Sequence, residues 1–475
     1  MNSPPCLAHF LAPVAALLVS ACAGLPASQE AAPPAAPLAE LATAAWQAPL
    51  PHNGQLADLR NWWLRQGDQL QVELIEAAQK VNPTLAAATS RIAQARASAR
   101  SAQAASGPTL DGSASISRAQ AATFPTTPPA NTVQLGLMAG WEIDLFGANR
   151  AANNAAAERL ASAQASWHDA RVSVAAEVAN QYIAYRACEV QLALTRRDAA
   201  SKAETARLTG ITTRAGFTAT GQQALVDAVT AEASNQAVSL AAQCESGVKA
   251  LVALTGLPEA ALKQKLAAAT TATEAPVALA RIPAQALDQR PDLYAAQRDV
   301  AAASQDITGS QAQQYPRLSL NGSIGALNVN TGSVSADLTT WSIGPLALSL
   351  PLYDGGRRAA NVEAAKARYA EATAVYQARV RAAVREVEDA LVNLQATASR
   401  SAPTEAAAKA WQAALLATET RQKNGFASQI EVEETRRMAM AADVSRLSLQ
   451  RDRQLAWVAL YRAIGGGWER PETQP

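Results

Sequence analysis

The strongest constraint on this chain is that it carries one pattern twice. An offset of about 208 residues lays Pro83-Thr84-Leu85-Ala86-Ala87-Ala88 over Pro291-Asp292-Leu293-Tyr294-Ala295-Ala296. The same offset lays Pro108-Thr109-Leu110 over Pro316-Arg317-Leu318, and Arg150-Ala151-Ala152-Asn153 over Arg358-Ala359-Ala360-Asn361. With one more residue inserted, Gly216-Phe217 meets Gly425-Phe426, and the run from Leu251 to Gly256 meets that from Leu460 to Gly465. Chance likeness between alanine-rich helices does not keep Pro, Gly and Arg in step. The chain must therefore build one unit and repeat it.

Within each copy the hydrophobic period changes in the same order: helix, two strands, very long helix, turn, long helix. In the first copy residues 70–106 read as a helix ended by Gly107-Pro108, and residues 110–119 and 132–145 as strands around a Thr/Pro loop. Residues 150–213 and 222–256 then read as a long helix and its return, turning at Gly216-Phe217. The second copy repeats this with strands from Leu318 to Val329 and Thr340 to Leu352, and helices over 357–421 and 429–464 that turn at Gly425-Phe426. The pairs of long helices predict antiparallel coiled hairpins. A run of about 60 helical residues reaches roughly 90 Å.

The strand over 132–145 carries the clearest alternation. Val133, Leu135, Leu137, Ala139, Trp141, Ile143 and Leu145 share one face, whereas Gln134, Gly136, Met138, Gly140, Glu142 and Asp144 share the other. Such alternation suits a membrane barrel, in which apolar side chains meet lipid and polar ones face water. In the last strand the phase slips at Gly344-Pro345, which predicts a β-bulge there. Four strands cannot close a membrane barrel, because such barrels start at about eight. Several chains must contribute.

Composition removes other classes. The 475 residues are alanine-rich, 49% hydrophobic and only 5% aromatic, which favours closely packed long helices over bulky cores. A net charge of +1 provides no basic footprint, so nucleic acid is not an expected partner. His9, His52 and His168 have no metal-ligand spacing, and no phosphate-loop, nucleophile-elbow or zincin motif occurs. No catalytic residue and no metal site is predicted, and an enzyme is disfavoured.

Residues 1–21 read as an export signal with an apolar stretch over 7–21. Val19-Ser20-Ala21-Cys22 resembles a bacterial lipobox, which makes Cys22 the acceptor of diacylglycerol and an N-acyl chain. Ala23 at the next position resembles lipoproteins sent to the outer membrane, and the Pro/Ala-rich residues 22–55 read as a tether. No later segment holds 18 consecutive apolar residues, so a membrane crossing in the mature chain must use strands. Cys188 and Cys244 stand equidistant from Gly216, on facing positions of an antiparallel hairpin. In an oxidising compartment this predicts a disulfide. The second hairpin has Thr397 and Arg453 at the matching positions and lacks the staple.

The layout resembles the TolC-type outer-membrane efflux proteins, in particular their NodT-like lipoprotein branch. The landmarks are Trp62-Trp63, Leu74-Ile75-Glu76-Ala77, Asn82-Pro83, Trp141-Glu142-Ile143-Asp144-Leu145-Phe146-Gly147, Arg290-Pro291-Asp292-Leu293 and Tyr315-Pro316. Pro351-Leu352-Tyr353-Asp354-Gly355-Gly356-Arg357-Arg358 and Glu386-Val387-Glu388-Asp389-Ala390-Leu391 complete the order. The resemblance implies a mainly α fold with a membrane β-barrel: a homotrimer with a twelve-stranded barrel over a twelve-helix periplasmic tunnel. It implies an inner-membrane RND pump and a periplasmic adaptor as partners, outer-membrane lipid around the barrel, and small molecules such as drugs as export substrates. Family members narrow at the tip through acidic residues after the last hairpin turn, which places a periplasmic gate at Glu431 and Glu434. Gly216, Phe217, Gly425 and Phe426 would then form the turns that meet the adaptor. An exit duct for type I protein secretion has the same build, and a periplasmic adaptor lipoprotein is a weaker alternative, since an adaptor carries one hairpin and not two. The expected domains are 1–21 signal, 22–55 tether, 56–257 first repeat, 258–282 linker, 283–468 second repeat and 469–475 tail.

Overall fold

The computed structural model describes residue 63 and residues 67–120, 129–269, 284–331, 334–468 and 470. The signal segment, Cys22, the tether, Trp62 and most of the tail lie outside them. The chain divides into two compact units. One consists of Gln103–Ala155 with Ala301–Tyr369 and holds the strands; the other holds most of the helical residues.

The first copy runs α1 (Gln69–Val81), α2 (Pro83–Ala104), β1 (Thr109–Ala119), β2 (Ala130–Ile143), α3 (Ala148–Arg214) and α4 (Thr220–Thr255). After α5 (Glu259–Ala268) the second copy runs α6 (Pro291–Ala312), β3 (Arg317–Asn330), β4 (Ser335–Ser349), α7 (Arg357–Lys423) and α8 (Gln429–Ala463). The duplication is plain in the element lengths, since α3 and α7 each have 67 residues and α4 and α8 have 36 and 35. At 1.5 Å per residue the two long helices each extend about 100 Å.

Two expectations need correction. The helix expected over 70–106 is two helices, because Pro83 cannot donate to the preceding turn and Asn82 takes extended angles instead. Asn82 Oδ1 then accepts the Thr84 N–H at 2.8 Å and starts α2. The segment expected as a linker over 258–282 contains α5, which buries Leu262 and Leu266. Those two leucines join Leu74, Val178, Leu251 and Val458 in the core of the helical unit. Arg186 fixes the seam, donating to the Leu266 and Ala269 carbonyls at 3.1 Å each and to the Tyr182 hydroxyl at 3.0 Å.

The strands form one antiparallel sheet in the order β1-β2-β3-β4. Between Leu320 and Gly322 of β3 the register to β4 shifts, because two residues, Gly344 and Pro345, stand opposite Asn321. This is the expected bulge. Gly344 takes φ +101° there, and the Gly344–Pro345 peptide is cis. The extra residue restores the phase, so that Ile343 and Leu346 point to the same side of the sheet.

Candidate functional site

The register divides the sheet into two chemically different faces. Leu135 and Leu137 lie beside Ala114 and Gly112 of β1 and beside Ala326 and Ile324 of β3. Ile324 faces Trp341, and Leu318 faces Leu348. The opposite face carries Ser113, Ser115, Gln134, Asn321, Ser323 and Ser342 across the same strands. The apolar side is uncovered: Trp341 is 73% exposed and Ile343 83%. A continuous uncovered apolar face of this kind marks a membrane or protein contact. Within the described residues β1 and β4 pair on one side only, so the sheet is open at both edges.

Below the strands the chain is locked by side chains from both copies. Trp141 Nε1 donates to the Ser106 carbonyl at 3.1 Å, and Phe146 stacks on Tyr315 with ring centroids 5.0 Å apart. Asp144 Oδ2 accepts the Arg150 N–H at 2.8 Å and caps the start of α3.

The hairpin turns are alike. The Phe217 N–H donates to the Thr212 carbonyl, and the Phe426 N–H to the Arg421 carbonyl. Gly216 and Gly425 take φ +80° and +81°, which the Schellman turn requires and which a Cβ disfavours. Phe217 and Phe426 are exposed at the two turns. In the first hairpin Cys188 and Cys244 form the expected disulfide, with Cα atoms 5.6 Å apart. The helix Thr220–Thr255 is long and apolar enough by composition to cross a membrane. Gln222, Asp227, Glu232, Glu245 and Lys249 are spread along it, and the disulfide binds it to α3, so it reads as the return arm of a hairpin in water.

The two gate candidates have different surroundings. The Glu431 N–H donates to Ser428 Oγ at 3.1 Å, while its carboxylate accepts from Arg421 at 2.8 Å. Glu431 thus lies in the first turn of α8, whose N-cap is Ser428, and pairs with a cation of its own hairpin. Glu434 is exposed on the next turn.

Glu433 is the acid that sequence reasoning passed over. It is buried, accepts from Ser201 Oγ of α3 at 3.1 Å, and is bound by the Arg436 guanidinium. Arg436 also donates to Ser201 Oγ and meets Glu419 of α7 at 2.9 Å. These four side chains tie the second hairpin to the first. Only the Glu433–Arg436 pair, three residues apart on α8, is local; Ser201 and Glu419 lie on α3 and α7, so periodicity carries no signal for the group as a whole. A second charged centre lies around Arg290, which is buried and donates to Asp292 at 2.7 Å, Glu386 at 2.8 Å and the Ala463 carbonyl at 2.8 Å. It borders a cavity of about 330 Å³ with Asp169 and Arg379. Burial, reinforced by the Asp292 carboxylate, pushes the Asp169 carboxyl above the usual carboxylate range, against the pull of Arg290, Arg462 and Arg379.

The family model described as outer membrane efflux protein matches residues 74–257 and 282–466, one match for each copy of the repeat. The chain belongs to the outer membrane efflux protein family. It is an outer-membrane efflux component, and its two matched segments coincide with the duplication seen in the helices. Outer membrane protein OprJ of Pseudomonas aeruginosa is 29% identical over 466 residues, covering 96% of this chain and 95% of that one. Nodulation protein T of Rhizobium leguminosarum bv. trifolii is likewise 29% identical, over 97% of both chains. Among solved structures, the outer membrane protein VceC of Vibrio cholerae superposes with a TM-score of 0.75 at 26% identity, over 86% of this chain and 99% of that one. The CmeC outer membrane channel of Campylobacter jejuni has a TM-score of 0.81 at 23% identity, over 91% and 92% of the two chains, which shows the shared fold.

Proposed function

We propose that three copies of this efflux protein close into one duct that carries small molecules outward, as the outer-membrane part of a tripartite RND-type pump. The observation that carries this reading is the open four-stranded sheet, apolar on one face and polar on the other, in a chain that matches an outer membrane efflux family in both halves. An open sheet in lipid leaves backbone groups unpaired at a cost of several kcal/mol each, so the edges need partners. Three sheets supply twelve strands, enough to surround a water-filled lumen. The long helices α3 and α7 then reach into the periplasm, and the exposed Phe217 and Phe426 present the turns to an adaptor that couples the duct to its inner-membrane pump. Diacylglycerol and an N-acyl chain on Cys22 anchor the chain beside the barrel. The relatives named for solvent and toluene efflux support small molecules as cargo.

Glu434 is the gate group in this reading, because Glu431 is already paired with Arg421. Three Glu434 carboxylates about 6 Å apart would repel by roughly 3 kcal/mol per pair at an effective dielectric near 20. A narrow opening lined in this way prefers cations. Purified full-length protein in planar bilayers should conduct weakly and select for cations, and Glu434→Ala should raise conductance about two-fold or more while weakening selectivity. Currents identical in the two proteins would remove the gate role from Glu434, and a protein that never conducts would remove the duct.

A further inference from the structure

We infer that the outward rim of the sheet, at the strand ends away from the helices, binds the phosphorylated sugar headgroup of the glycolipid that makes up the outer leaflet of an outer membrane. The rim consists of Arg118, Asn131, Asn328 and Thr339. The inference rests on the duct reading above and adds a lipid ligand that the reading does not supply.

The pairing fixes which side chains face outward. Ile116 pairs with Val133, Val133 with Asn328, and Asn328 with Asp337. One row nearer the helices, Ala114, Leu135, Ala326 and Thr339 pair in turn, and in the next row Gly112, Leu137, Ile324 and Trp341 do so. Alternation carries Arg118, opposite Asn131, onto the same face. The apolar run on this face therefore ends at Ile116 in β1, Val133 in β2, Ala326 in β3 and Trp341 in β4. The next outward residues are Arg118, Asn131, Asn328 and Thr339.

The geometry sets these four residues at one height, where hydrocarbon gives way to headgroups. From Ile143 to Val133 the apolar run of β2 extends about 34 Å, at about 3.4 Å per residue. A strand tilt near 40° leaves about 26 Å of height, which matches an apolar band of about 25 Å. The upper boundary of the run is also level only in a tilted sheet. Ile116 and Val133 share one row of pairs, Ala326 lies one row nearer the helices and Trp341 two rows nearer. Two rows are about 13 Å along the strands and four strands are about 14 Å across, a slope of about 43°. That slope falls within the strand tilt of about 35–45° found in membrane barrels.

Arg118 decides the ligand. Among the described residues it is the one cation on the outward face of the strands, and it is exposed with no ion-pair partner. An arginine on this face is costly within hydrocarbon and nearly free of cost at its edge. There its planar fork matches a phosphate through two parallel hydrogen bonds. Asn131, Asn328 and Thr339 add donors and acceptors suited to sugar hydroxyls. Asp337, the one anion on this face among the described residues, lies three strands from Arg118, and its Oδ1 accepts from Asn328 Nδ2 at 2.7 Å. It leaves a phosphate at Arg118 unopposed.

Full-length protein in detergent, titrated with bis-phosphorylated lipid A and read by native mass spectrometry, should bind that glycolipid saturably. Phosphatidylglycerol, an anionic phospholipid without the second phosphate and the disaccharide, should bind about ten-fold more weakly. Arg118→Gln should weaken lipid A binding about ten-fold, as expected for one lost charge-assisted contact. Arg317→Gln removes the same charge from the opposite face of the sheet and should leave lipid A binding unchanged. Equal affinity of the parent and Arg118→Gln for lipid A, or of the parent for the two lipids, would overturn the rim. A parent protein that conducts in planar bilayers yet binds no lipid A would overturn the rim and leave the duct intact. One that never conducts would remove the duct, and the rim with it.

Discussion

Asp169 is held in the helical unit with Asp292 close enough to repel it and with three arginines close enough to favour it. Burial and Asp292 prevail, and its carboxyl binds a proton more tightly in the folded chain than in the unfolded one. The sign of the linkage follows. A group whose folded pKa is raised stabilises the fold fully below the unfolded value near 3.8, and that contribution is lost as pH rises through the raised folded value. Above that window the fold carries a poorly solvated carboxylate. Asp169→Asn should therefore raise Tm by roughly 1–3 °C at pH 8 and have little effect at pH 3, measured by thermal unfolding in detergent. A lower Tm for the variant at pH 8 would mean that the attraction to Arg290 and its neighbours outweighs the burial. None of this balance is written in the local sequence. The Arg290-Pro291-Asp292-Leu293 motif is visible, but its partners Glu386 and Ala463 lie in α7 and at the end of α8.

At the scale of elements, legibility depended on how local the signal was. The strands, the two hairpin turns, the disulfide and the bulge each follow from residues within one element or from equal spacing about a turn, and all are present. The division at Asn82 and the helix α5 escaped because alanine-rich stretches give weak periodicity, so that a break or a short helix changes the pattern little. The bulge shows how much one residue can decide. Gly344 and Pro345 together oppose Asn321, and the extra position keeps Leu346 and Leu348 on the same side as Ile343. Deleting Pro345 removes that position, and every later side chain of β4 must either change face or lose its pairing to β3. Protein lacking Pro345 should fall at least ten-fold in the detergent-extracted oligomer, read on unheated gels, whereas Pro345→Ala, which keeps the residue count, should retain it. Equal yields from the two variants would show that the phase at this position does not matter.

For the molecule as a whole, the two copies have the same build and different fastenings. The first hairpin is stapled by Cys188–Cys244, which closes a loop with a sequence separation of 56. The second hairpin is tied to Ser201 of the first through Glu419, Glu433 and Arg436, by contacts that water can replace one by one. A covalent bond cannot exchange in that way, so the second hairpin is expected to be the arm that moves, with the first as its frame, and two sets of variants test this. Arg436→Met removes the cation that binds Ser201, Glu419 and Glu433, and leaves a buried carboxylate without it, which favours the open arrangement. In planar bilayers this variant should conduct several-fold more than the parent protein. Cys188→Ser with Cys244→Ser should conduct like the parent, because the polar group is intact, yet be less stable by up to about 4 kcal/mol from the entropy of the released loop. The opposite result, an open duct without the disulfide and unchanged currents without Arg436, would exchange the two roles and make the first hairpin the moving arm.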